Sequence, residues 1–214
     1  FCLIGQHDAD KLAIQGPCGS GPIQDFLAGA ARDLGLWLVG GTLPIAAERA
    51  DRVFNSSLAF NPQGDCVARY DKIHLFRFDN GTESYDESRV LDPGTQPTRF
   101  ALPSTDGHTW QVGLSVCYDL RFAELYRGYA RDGVDLILVP SAFTRTTGEA
   151  HWEVLLRARA IENLAFVAAA AQGGTHPNGR RTWGQSVLID PWGRILAEQA
   201  QGPTVDRHAV LVDS

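Results

Sequence analysis

Apolar positions along the chain recur at two spacings, and one stretch switches abruptly between them. Val112, Leu114 and Val116 alternate as in a half-buried strand, and Phe122, Leu125, Tyr126 and Tyr129 then follow at the i, i+3, i+4, i+7 spacing of one helix face. Gly133 supplies the stop. Cys117 stands where the strand period gives way to the helix period. A thiol at such a junction lies near the positive end of a helix dipole, which favours thiolate over thiol. A buried core cysteine is the competing reading.

The same patterns divide the rest of the chain. Phe1 to Gly5 reads as the exit from a strand. Pro22 suits a first helical residue, with Ile23, Phe26, Leu27, Ala30 and Leu34 as the buried stripe and Gly35 as the close. Residues 36–41 read as a buried strand ending in two glycines, and residues 52–60 and 66–72 as a hairpin whose turn is 61–65. That hairpin puts Lys72 at a strand end. Residues 76–99, rich in Asp, Glu, Gly, Pro and Ser, predict a long surface loop of the functional kind. The continuous apolar run 134–140 predicts a strand buried on both faces, which makes 112–140 a βαβ unit. Thr146 and Glu149 have capping-box spacing and open a helix through Asn163, with Trp152, Leu155, Leu156 and Ala160 on its core stripe and Arg159 beside them. Residues 164–171 form a further buried strand, 183–190 and 195–199 a hairpin, and 208–212 a last strand. The tally is a layered α/β sandwich.

Composition narrows the partners. At 214 residues, 44% hydrophobic and 21% charged, the chain fits one globular domain. A net charge of -6 with no Lys/Arg-rich run argues against nucleic acid or an anionic membrane and for a small-molecule partner. Cys2, Cys18, Cys66 and Cys117 are scattered without a C-x-x-C pair, so neither a zinc site nor a disulfide framework is indicated, and a reducing, cytoplasmic setting is expected. No apolar run reaches membrane-spanning length. Glycine-rich nucleotide motifs and G-x-S-x-G are absent.

A cysteine hydrolase needs a proton acceptor and a group to meet the oxyanion. Six histidines are available, His7, His74, His108, His151, His176 and His208, each more often structural than a base. The alternative is a carboxylate with a lysine. YDKIHLF at 70–76, DES-x-V-L-D-P-G at 86–94, GLSVCYDLRFAEL at 113–125, SAFTRTTGEAHWEVLLRARAIEN at 141–163 and VLIDPWGR at 187–194 resemble, in order, the carbon-nitrogen hydrolases of the nitrilase superfamily. Within it, the CYDLRF and TTGEAHWEVLLRARAIEN stretches resemble the amidase branch that includes deaminated glutathione amidase and omega-amidase.

That resemblance implies a four-layer α-β-β-α sandwich and a Glu-Lys-Cys triad working without metal or organic cofactor. It makes Cys117 the nucleophile, Lys72 the oxyanion-stabilising cation and Glu87 the carboxylate that orients lysine and substrate. The backbone N–H of Tyr118 is the natural second oxyanion donor. Arg121, four residues after the nucleophile, suits either a substrate carboxylate or a helix-face salt bridge. His151, Trp152, Arg157, Arg159, Glu162 and Asn163 belong to the family pattern but read as scaffold and interface. The implied reaction is hydrolysis of a small carboxylate-bearing amide through a thioester, by a homodimer or higher homo-oligomer. A nitrilase, an N-acyl transferase, a carbamoyl-amide hydrolase or an inactive binding relative are the alternatives. The family's general base is a glutamate in a Pro-Glu context just ahead of a segment like FCLIG, and Glu48, Glu83, Glu124 and Glu149 do not match it. The expectation is therefore a single domain over 1–214 whose missing strand-helix-strand, with that glutamate, precedes Phe1, and whose C-terminal extension follows Ser214.

Overall fold

The computed structural model describes residues 4–79, 81 and 84–199. Two sheets stack face to face. In the first, Val53–Phe60 pairs antiparallel with Leu38–Val39, Leu43–Ala46 and Cys66–Asp71, and parallel with Leu91–Asp92. The second runs Ile195–Gln199, Ser186–Ile189, Phe166–Ala169, Leu136–Leu138, Thr109–Leu114, Thr98–Pro103, with the three strands from 109 to 169 parallel and the rest antiparallel.

Side-chain alternation explains the layers. Ala59 and Tyr70 of the first sheet meet Phe100, Val112, Leu114 and Val116 of the second in one apolar cluster. Leu58 and Phe60 point the other way and pack with Leu43 and Ile45 under the helix Pro22–Leu34. Helices Ala123–Arg131 and Arg145–Asn163 cover the outer face of the second sheet through Tyr126, Tyr129, Trp152 and Leu156. The order is α-β-β-α, because each sheet is apolar on both faces and needs a cover on both.

Several local expectations change. Helix Pro22–Leu34 buries Leu27 and Ala31, whereas Phe26 and Leu34 are 72% and 66% exposed, so the true stripe is rotated from the expected one. Residues 36–41 give only the two-residue, half-buried strand Leu38–Val39. The long helix starts at Arg145 with Thr144 as its cap residue, and the capping box of Thr146 and Glu149 does not form at its start. Residues 76–99 are structured instead of a plain loop: Arg77–Asp79 pairs with Ser84–Asp86, and Glu87–Arg89 is a short 3-10 turn. Ser84, Asp86, Glu87 and Arg89 of this segment line a cleft. The strand expected at 208–212 lies outside the described residues, as does most of that expected at Phe1–Gly5.

Candidate active site

Cys117 sits beyond the C-terminal end of the parallel strand Thr109–Leu114, at the crevice side where open α/β sheets place their ligands. The helix does not begin there, contrary to the simple strand-to-helix reading. Cys117–Arg121 is a 3-10 turn, and the α-helix starts at Ala123. A helix dipole anchored at the thiol is therefore not what distinguishes the site. Its backbone is. Cys117 adopts φ of 52°, a left-handed conformation that a residue with a Cβ rarely takes. Its N–H donates to Pro140 O (3.1 Å) and the Asp119 N–H to Val116 O (3.1 Å). The N–H of Tyr118, between them, has no acceptor among the described residues, which leaves it available to an oxyanion.

Buried polar groups hold that turn. The Asp119 carboxylate is fully buried. One oxygen accepts from His74 N–H (3.0 Å) with His74 Nδ1 at 2.7 Å, and the other accepts from Tyr70 O–H (2.7 Å) and Val116 N–H (2.9 Å). The His74 ring stacks on Phe122, centroids 3.6 Å apart. Burial, then the Asp119 charge, push the Tyr70 phenol far above its ordinary range, so it stays a donor. Sequence reasoning passed over Asp119, although a carboxylate two residues past Cys117 in a largely apolar stretch was the available signal. Asp119→Asn puts an amide N–H against groups that donate. We expect it to cost about 1–3 kcal/mol, the penalty of an unmatched buried polar group, and to be seen as a lower urea midpoint with unchanged slope.

Lys72 follows the strand Cys66–Asp71 directly and is 1% exposed. Its N–H donates to Asn55 O (2.9 Å) and its carbonyl accepts from Gly94 N–H (2.9 Å). A Cβ at Gly94 would lie 2.0 Å from Asp71 O, so only glycine fits against this strand end. The ammonium Nζ is 2.5 Å from Glu87 Oε2, which also accepts from Phe76 N–H (2.7 Å). Burial works against the charge, but Glu87, Cys117 and Asp119 outweigh it and raise the lysine above its ordinary range. The site therefore holds a desolvated, paired ammonium.

A cleft of about 540 Å³ is lined by Lys72, Glu87, Cys117, Asn55, Ser141 and Arg180, among others. A smaller annex brings Cys117, Tyr118 and Arg121 together with Arg180. Arg121 has no carboxylate partner among the described residues. Its guanidinium lies over the Tyr118 and Phe143 rings, with one nitrogen 3.4 Å from His151 Nδ1. Thus Cys117, Lys72 and Glu87 meet in one cleft, and Tyr118 and Arg121 border its annex. Arg159, expected as scaffold, is buried and donates twice to Leu120 O (3.1 and 2.8 Å). Among the described residues no histidine is hydrogen-bonded to the Cys117 sulfur, and no His, Cys, Asp and Glu cluster suits a metal ion.

Comparison with known proteins adds context. Residues 2–206 match the family model described as carbon-nitrogen hydrolase. The chain is 45% identical over 181 residues to a deaminated glutathione amidase of Yersinia enterocolitica, covering 83% of this chain and 62% of that protein. It is 40% identical over 173 residues to omega-amidase NIT2 of Homo sapiens, covering 80% and 60%. This chain thus spans about three fifths of the length of these curated relatives. Among solved structures, a mutant of the amidase from Nesterenkonia sp. AN1, with acrylamide added at its active site cysteine, superposes with a TM-score of 0.70 at 33% identity over 85% of this chain and 65% of that one.

Proposed function

Because this chain belongs to the carbon-nitrogen hydrolase family, we propose that it hydrolyses the amide bond of a small carboxylate-bearing amide and releases ammonia. The observation that carries the reading is the buried Lys72 ammonium, paired with Glu87 in the cleft that Cys117 lines. A buried ammonium is costly to keep, and it is of use where negative charge appears only in a transition state.

In this reading the Cys117 thiolate attacks the amide carbonyl. The carbonyl oxygen becomes an oxyanion between Lys72 Nζ and the Tyr118 N–H. The C–N bond breaks, the nitrogen takes a proton and leaves as ammonia, and a thioester to Cys117 remains. Water then adds to the thioester, and loss of the thiolate yields a carboxylic acid. Glu87 is proposed as the residue that orients Lys72, since its Oε2 is already committed to Lys72 and to Phe76 N–H. Proton transfer belongs to a further glutamate, in keeping with the Glu-Lys-Cys pattern. No step calls for a metal or an organic cofactor. Arg121 is proposed on the wall of the annex that receives the substrate's carboxylate. The likeness to proteins named deaminated glutathione amidase and omega-amidase supports an amide as the substrate.

We place the protein in the cytoplasm as a homodimer or larger homo-oligomer. Exposed Val154 and Ile161 on the long helix support the second part, with Trp192, 80% exposed, at the turn beside it. Light scattering on the purified protein tests it. The reaction is tested by an ammonia-release screen of short amides against matched nitriles and carbamoyl amines. Release from carboxylate-bearing amides is expected, and release from nitriles alone would make the protein a nitrilase instead.

A further inference from the structure

The turn that carries Glu87 has few bonds of its own. Glu87–Arg89 is a single 3-10 turn closed by one internal bond, Val90 N–H to Glu87 O (3.2 Å), and the carbonyls at the end of so short a turn find no partner inside it. Its front end is held locally. Asp86 Oδ1 accepts from the Ser88 N–H (3.0 Å), and the Glu87 N–H donates to Phe76 O (2.9 Å). Its back end is held by a residue 36 positions away from Ser88.

That residue is Arg52. It stands directly before Val53–Phe60, the strand with which every other strand of the first sheet pairs, so its backbone is well anchored. The guanidinium donates from Nη1 to Ser88 O (2.6 Å), from Nη2 to Leu91 O (2.6 Å) and from Nε to Asp92 Oδ1 (2.8 Å). Beside it the Val53 N–H donates to Val90 O (3.0 Å), and Leu91–Asp92 runs parallel to the start of the strand. Three donors in one rigid plane thus fix the exit of the turn, a geometry that a flexible ammonium cannot copy. The pair is also sheltered. The Arg52 and Asp92 side chains are 16% and 30% exposed, whereas neighbouring Arg49 and Asp51 form a pair about two-thirds exposed on both sides, of the kind that contributes little.

What Arg52 fixes matters to the chemistry. Ser88 follows Glu87 directly, so a shift of the Ser88 carbonyl is carried into Glu87 through one residue of a closed turn. Glu87 Oε2 in turn holds Lys72 Nζ, which has no other side-chain acceptor among the described residues. We infer that Arg52 is a positioning residue for the reaction: its fork places the Glu87 turn, and through Glu87 it places the Lys72 ammonium in the cleft. This rests on the amidase reading. Arg52 itself does not line the cleft and acts through Glu87 alone.

Ammonia release from one good amide substrate is compared in the parent protein, Arg52→Gln, Arg52→Lys, Glu87→Gln and the double variant Arg52→Gln/Glu87→Gln, with Arg49→Gln as the control. In Arg52→Gln kcat should fall roughly 10- to 100-fold, as when a reacting group is displaced by about 1 Å, with KM nearly unchanged. Arg52→Lys should recover a small part of the loss, and Arg49→Gln should turn over like the parent. A merely structural arginine would multiply its loss with that of Glu87→Gln. A positioning one would not, so the double variant should match Glu87→Gln within about twofold, and multiplied losses would overturn the proposal.

Hydrogen exchange followed by NMR needs no substrate. The Phe76 N–H, whose acceptor is Glu87 Oε2 (2.7 Å), should exchange at least about tenfold faster in Arg52→Gln, while the Val112 and Ile137 amides of the second sheet keep their protection. Where Arg52→Gln does not fold, Asp92→Asn weakens one arm of the fork, leaves the two carbonyl bonds, and should give the same pattern at smaller size. If the parent hydrolyses no amide, the amidase reading fails, and faster exchange at Phe76 still sustains the hold of Arg52 on Glu87. Unchanged exchange at Phe76 overturns the proposal whatever the turnover.

Discussion

Cys117→Ala is expected to eliminate ammonia release while the protein stays folded, with kcat falling on the order of 10⁶-fold, as when a covalent nucleophile is deleted. In the proposed mechanism the thiolate forms the bond that splits amide hydrolysis into two easier steps. Alanine keeps a Cβ at the φ of 52° and removes only sulfur, so the turn and its bonds to Pro140 and Val116 should survive. Cys117→Ser should be nearly as inactive, because a hydroxyl there lacks an accessible anion. Mass spectrometry separates the possibilities. Parent protein quenched during turnover should carry an acyl adduct on the peptide containing Cys117. Iodoacetamide should also modify Cys117 ahead of Cys18 and Cys66, although both of those are more exposed. Partial desolvation of its sulfur, and then the nearby Cys18, raise the Cys66 thiol above its ordinary range, which slows it further although the residue as a whole is exposed. Retained activity in Cys117→Ala, or faster labelling elsewhere, would refute the assignment.

How much of this was legible beforehand depends on whether the information was local. The strands Leu136–Leu138 and Phe166–Ala169 announced themselves as continuous apolar runs and Thr109–Leu114 by the alternation of Val112, Leu114 and Val116, although Leu136, Leu138 and Phe166 are only half-buried, so the expectation of burial on both faces is not met. The hairpin at 61–65 was equally plain, since Asn61 Oδ1 accepts from the Gln63 and Asp65 N–H groups in an Asx-type turn that its composition encodes. Helix Pro22–Leu34 was found but its buried face was not. Phe26 and Leu27 are neighbours with similar hydrophobicity, and only the sheet beneath decides which one faces it.

The site divides in the same way. Cys117, Lys72 and Glu87 came from ordered motifs, whereas Arg180 and the Asp119 network depend on long-range contacts. Residues 70 and 74 reach residue 119, and the 173–183 hairpin reaches Ala142. What distinguishes Arg180 is its seat between Ala142 O and the Tyr85 ring, and that is a property of packing.

Lys72→Ala should lower kcat by roughly 10²- to 10³-fold, about 2.7–4 kcal/mol, the usual loss when one oxyanion donor is removed. Two effects combine. The ammonium no longer meets the charge that develops on the carbonyl oxygen, and Glu87 is left in the cleft with only the Phe76 N–H. Lys72→Arg should not rescue turnover, because a planar five-donor fork cannot take the place of a compact, buried ammonium paired with Glu87. The pH profile carries an independent sign. A lysine whose folded pKa is raised contributes stability that is fully present below its ordinary value near ~10.4 and is lost as pH rises through the folded value. Between about pH 6 and 9 the charge of Lys72 is therefore constant, and any change in rate there must come from another group. Single-turnover kinetics with a good amide substrate supply the measurement. Lys72→Ala should slow acylation of Cys117 across that whole window by the same factor. A normal turnover number in Lys72→Ala, or a rate in the parent protein that tracks Lys72 deprotonation below pH 9, would take this residue out of the chemistry.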